Sequence, residues 1–97
     1  MPKVVLEGHI LVPDSDLAAV MEALATHIEL TRQEKGCLVF SVTQDPDHPN
    51  RFDVYEEFES RKAFENHQCR VRNSPWGAVS IDVERHYQVK EIEVSDQ

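Results

Sequence analysis

The sequence predicts an α+β domain in which two helices cover one face of a four-stranded antiparallel sheet. Three observations carry that expectation. Apolar residues alternate with period two in some segments and recur at helical spacing in others. Those segments run strand, helix, strand, strand, helix, strand, an order that closes into a split β-α-β arrangement. Gly and Pro stand singly where elements should end, and nothing reads as a linker, repeat or low-complexity tract, so residues 1–97 are expected to form one domain with a single modest core.

Residues 3–12 (KVVLEGHILV) read as the first strand, with Val4, Leu6, Ile10 and Val12 on one face and Val5, His9 and Leu11 on the other. Pro13 stops it, and Asp14 or Ser15 can cap a helix on which Leu17, Val20, Met21, Leu24, Ile28 and Thr31 recur. Lys35 and Gly36 are expected to close that helix. CLVFSVTQ, with Leu38, Phe40 and Val42 in phase, and RFDVYEEFE, with Phe52, Val54, Glu56 and Phe58 in phase, should pair as a hairpin about the turn DPDHPN.

Ser60 can cap a second helix whose inward stripe is Ala63, Phe64, His67 and Val71. Ser74-Pro75 reads as an N-cap and first helical position, placing a short turn with Trp76 and Val79 before the last strand. That strand is expected to begin near Ile81 and carry Val83, Arg85, Tyr87 and Val89 in one phase, then Ile92 and Val94 in the other, through a bulge or a departing tail. This is the ferredoxin-like arrangement. Its helices cover one sheet face only, yet the first two strands are apolar on both, so a homodimer with sheets packed face to face is expected.

Eighteen acidic against ten basic residues leave a formal charge of −8, which disfavours nucleic acid and anionic membrane surfaces as partners. The amino-terminal apolar run is broken by Glu7, Gly8 and His9 and reads as neither signal peptide nor membrane span, so a cytoplasmic protein is expected. Cys37 and Cys69 lack metal or disulfide-framework spacing and read as reduced thiols. Asp45, Asp47, Asp53 and Glu56 fall on a calcium-loop template, but Pro49 and Asn50 occupy the middle where it needs a glycine, so no metal is assigned.

The run from Leu30 to Phe64, LTRQEKGCLVFSVTQDPDHPNRFDVYEEFESRKAF, resembles the antibiotic biosynthesis monooxygenase family, small dimeric α/β-barrel domains that include quinol monooxygenases. The likeness lies in TRQEKGCLVF, in DPDHPNRF, in YEEFES where the family has Tyr-Glu-x-Trp, and in the helix histidine His67. Family members often have a tryptophan where Phe58 stands and a second histidine near Arg70 to Arg72. The resemblance implies a cofactor-independent monooxygenase acting with O2 on a small aromatic or quinol substrate. Isomerases and haem-degrading enzymes share the fold, and a non-catalytic module binding a small ligand is the reading from another class.

His67 is the leading catalytic candidate, since a neutral imidazole in an apolar stripe can take a proton from a phenol; a core histidine bonded to a carbonyl is the plainer alternative. Tyr55 can orient a substrate oxygen or simply fill the sheet. Strand alternation separates Tyr55 from Glu56, so at most one of them shares a cavity with His67. His9 and Trp76 are candidates to line that cavity, Phe40, Phe52 and Phe58 to wall it, and Arg72 to neutralise an anionic substrate.

Overall fold

The computed structural model describes residues 2–93. Strand β1 (Pro2–Leu11), helix α1 (Asp14–Arg32), strands β2 (Cys37–Gln44) and β3 (Arg51–Phe58), helices α2 (Arg61–Arg72) and α3 (Pro75–Val79) and strand β4 (Glu84–Glu93) follow in the predicted order. The strands form one antiparallel sheet ordered β2-β3-β1-β4, with the helices packed on one face. Val4 pairs with Phe58, Leu6 with Glu56 and Ile10 with Phe52, so these residues share the helical face, and Phe40 and Tyr87 join it through their own pairings. Val4, Leu6, Ile10, Phe52 and Phe58 are almost wholly buried there with Val20, and they form the core. Val5, His9, Tyr55 and Glu57 occupy the opposite, outer face.

The helix caps follow local chemistry. Ser60 Oγ accepts from the Ala63 amide at the start of α2, and Ser74 Oγ accepts from the Gly77 amide at the start of α3. Helix α1 departs from expectation: Pro13 occupies its N-cap without a side-chain cap bond, while Asp14 accepts from Asn50 Nδ2 and, with Asp16, puts negative charge at the positive end of the dipole. The helix also ends earlier, at Arg32, and Gly36 serves the turn into β2, where its φ of +92° suits a residue without a Cβ.

Two further expectations are corrected. Strand β4 begins at Glu84, because Val83 closes a turn by donating to the Ser80 carbonyl, and Ile81 is left exposed. The β1–β4 register is unbroken from Leu11↔Glu84 to Pro2↔Glu93, so no bulge produces the change of phase at Ile92; its side chain lies on the outer face, and Val94 lies outside the described residues. The irregularity sits instead in β2, between Cys37 and Val39. The segment Asp45–Asn50 is a turn, with the Asp47 amide donating to the Asp45 carboxylate. No helix among the described residues is long and apolar enough to cross a membrane.

Candidate active site

Helix α2 carries His67 inward on the stripe it shares with Ala63 and Phe64, and the imidazole is 3% exposed. Its Nδ1 lies 2.6 Å from Glu34 Oε2, in the turn after α1. A carboxylate only accepts, so Nδ1 carries the proton and donates, which leaves Nε2 with a free lone pair. Glu34 is held in turn by Arg70 Nη2 at 3.3 Å, and the same nitrogen donates to Thr31 Oγ1 at 3.0 Å. Burial lowers the His67 pKa, and the Glu34 contact opposes that shift without cancelling it, so the imidazole is neutral at neutral pH.

Strand β3 points Glu56 inward because it is in phase with Phe52, Val54 and Phe58. Its Oε1 stands 3.8 Å from His67 Nε2, too far for a hydrogen bond, and has no partner among the described residues. Burial, with the Glu34 charge adding, pushes the Glu56 pKa up to about 8, so the carboxyl holds its proton at neutral pH. A neutral base and a protonated acid thus face each other with affinities shifted in opposite directions.

His67 and Glu56 both line a cavity of about 60 Å³ whose wall also includes His27, Phe40, Trp76, Arg85 and Tyr87. The Tyr87 hydroxyl is pushed up to about 12 by burial, so it remains a neutral phenol. Arg85 donates to the Ser80 carbonyl and hydroxyl. His27 stacks on Trp76 with ring centroids 4.5 Å apart and planes 3° from parallel. Beyond that pair, between the helices, an apolar groove of about 240 Å³ is lined by Ala23, Leu30 and Pro75.

Among the residues singled out from sequence, His67, Phe40 and Trp76 meet at this cavity. Phe58 packs against the His67 ring at 4.9 Å, and Phe52 is core. Tyr55 and His9 are not brought to it: both lie on the outer face, where the Tyr55 hydroxyl donates to Glu57 and His9 stacks on His86. The sheet pleat is the reason, since Tyr55 is one residue out of phase with Glu56. Arg72 ends α2 exposed and away from the cavity, whereas Arg70 and Arg85 reach inward.

His27, Glu34, Arg70, Arg85 and Tyr87 were not singled out as site residues. A signal existed for His27, because Val20, Leu24, His27 and Thr31 fall at helical spacing and Val20, His27 and Thr31 are buried, whereas Met21 is exposed. None existed for Glu34, which meets His67 across thirty-three residues of sequence. Among the described residues, no group of three metal-ligating side chains is placed to hold an ion.

The fold and its buried histidine define a ferredoxin-like α+β domain of a kind found in many solved structures. A protein from Nitrosomonas europaea, named provisionally as an antibiotic biosynthesis monooxygenase, superposes with a TM-score of 0.73 at 23% identity, covering 93% of this chain and 86% of its own. One from Deinococcus radiodurans, similarly named, gives 0.72 at 22% identity over 97% and 94%. A Bacteroides thetaiotaomicron protein of unknown function gives 0.73 at 13% identity over 94% and 98%. At these identities the likeness is one of fold. No curated protein matches the chain. Residues 4–70 match the family described as "Antibiotic biosynthesis monooxygenase", and the chain belongs to that family.

Proposed function

We propose that this protein is a monooxygenase that oxidises a small aromatic or quinol substrate with O2, using His67 as the general base. The observation that supports it best is the buried imidazole whose Nδ1–H is fixed by Glu34 while Nε2 faces a protonated Glu56. Ground-state O2 is a triplet and reacts poorly with closed-shell phenols, but a phenolate can surrender one electron to it. His67 Nε2 takes the hydroxyl proton, and the apolar wall shields the resulting anion from water. Recombination of the radical pair forms a C–O bond to a peroxide whose distal oxygen takes a proton from Glu56. The ring carbon then loses its C–H proton to the Glu56 carboxylate as the O–O bond breaks, and the departing hydroxide takes the proton held on His67 and leaves as water, which returns both side chains to their starting states. For a hydroquinone the products are a hydroxyquinone and water. The substrate gives all four electrons, so the reaction balances without a reductant or a redox cofactor.

The contact to a substrate oxygen that the sequence suggested for Tyr55 falls in this reading to Tyr87 or Arg85, which share the cavity wall with His67 and can stabilise the oxyanion. The cavity is well below the ~300 Å³ at the lower end of small-molecule sites. Admitting a ring therefore requires the wall to yield, and the five-residue α3 that carries Trp76 is its shortest element.

The protein is further proposed to act as a homodimer joined through the outer sheet face. Val39, Tyr55 and Ile92 share that face and are each more than a third exposed. The test of function is oxygen consumption by purified protein with hydroquinones and naphthols, against an autoxidation blank and the His67→Ala variant. Uptake above the blank that disappears in His67→Ala is expected; equal uptake in the variant would remove His67 from the mechanism.

A further inference from the structure

The acid–base pair leaves one buried polar group of the cavity wall unused. His27 is 6% exposed, and its Nδ1 has no hydrogen-bond partner among the described residues. One face of its ring is taken by Trp76, and the ring of Phe40 stands nearly perpendicular to it, so any hydrogen bond must run in the imidazole plane. A buried polar atom without a partner is disfavoured, and leucine or methionine at this point of the α1 stripe would fill the space without that penalty. Burial holds the His27 pKa down to about 3, so the ring is a neutral imidazole with one donor and one acceptor nitrogen. Its centroid lies 6.2 Å from that of His67, within the reach of one small ligand.

We propose that His27 is a substrate-contacting residue: it hydrogen-bonds a second ring oxygen of the substrate whose first oxygen gives its proton to His67, so the site prefers arenes bearing two oxygens to those bearing one. The inference rests on the reading of His67 as base for the orientation of the ligand, but not on turnover. The stacked His27–Trp76 pair also separates the cavity from the apolar groove between the helices, so a ligand entering from that side meets this pair first.

The chain contains one tryptophan, so quenching of Trp76 fluorescence reports occupancy of this wall directly. The probes are naphthol, naphthohydroquinone and its vicinal-diol isomer, titrated without oxygen into the wild type, His27→Phe and His27→Gln, with affinities confirmed by calorimetry. In the wild type at least one diol is expected to bind about tenfold tighter than naphthol. His27→Phe should erase that gain while still binding naphthol, and His27→Gln, which keeps a polar group, should retain most of it. A diol preference that survives in His27→Phe overturns the proposal, as does equal affinity for all three probes or no binding of any. Oxygen uptake is measured separately: a His27-dependent diol preference without uptake would sink the oxygenase reading and leave this assignment standing.

Discussion

Glu34 holds the proton of His67 on Nδ1 and so decides which nitrogen can act as base. In Glu34→Gln the amide can donate to Nδ1 as well as accept from it, so the base loses its fixed tautomer. The expected result is a fall in kcat of about tenfold or more with KM little changed; an unchanged kcat would show that the contact is structural only. Glu56 gives a second test at this scale. With its pKa near 8 and that of His67 below the ordinary imidazole value, kcat/KM should be bell-shaped in pH, with its alkaline limb near 8. Glu56→Gln should lower the rate and remove that limb, and an alkaline limb that persists would assign it to another group.

Elements set how well those groups are held. Helix α2 carries His67, and its first turn depends on Ser60 accepting from the Ala63 amide. Ser60→Ala should cost ~1 kcal/mol of stability, read from the urea midpoint, without altering the fold. Strand β1 imposes a stricter demand at Gly8, where a Cβ would come within 1.9 Å of the His86 carbonyl oxygen on β4. Gly8→Ala should therefore cost more than ~2 kcal/mol or prevent folding; a midpoint equal to wild type would mean that β4 can shift freely. The elements themselves were largely legible in sequence, since Ser60, Ser74 and the in-phase run Phe52, Val54, Glu56, Phe58 all behave as the period and the cap rules require. The end of α1 was not legible, because Gly36 marks a turn into β2 that lies beyond the helix and looks the same in sequence as a helix terminus.

Across the whole molecule, two buried groups shape stability against pH with opposite signs. His27 has a folded pKa of about 3 against 6.5, so its contribution is present above pH 6.5 and is lost as pH falls toward 3. Glu56 has a folded pKa of about 8 against 4.5, so its contribution is full below pH 4.5 and is lost as pH rises toward 8. Thermal denaturation of the wild type and Glu56→Gln should therefore diverge above pH 4.5, the variant gaining ~1.4 kcal/mol per pH unit at most relative to wild type; parallel curves would mean that Glu56 is ionised in the folded protein. The dimer belongs to this scale as well. Sedimentation should give about twice the 11.2 kDa chain mass, and Val39→Asp on the outer face should shift the protein toward monomer with its secondary structure intact. A monomeric wild type at all concentrations would sink the proposed interface.

The sequence by itself determined the element order, the sheet face on which Phe52, Val54, Glu56 and Phe58 lie, and the inward direction of His67. Those are local properties, set by a period of two along a strand and by the turn of a helix. Only the tertiary structure decided that Glu56 rather than Tyr55 faces His67, that Glu34 fixes its tautomer and that His27 shares its cavity. These contacts join residues distant in sequence, such as Glu34 and His67, and their protonation depends on burial. Neither the distance nor the burial exists until helix α1, helix α2 and strand β3 have packed around the same space.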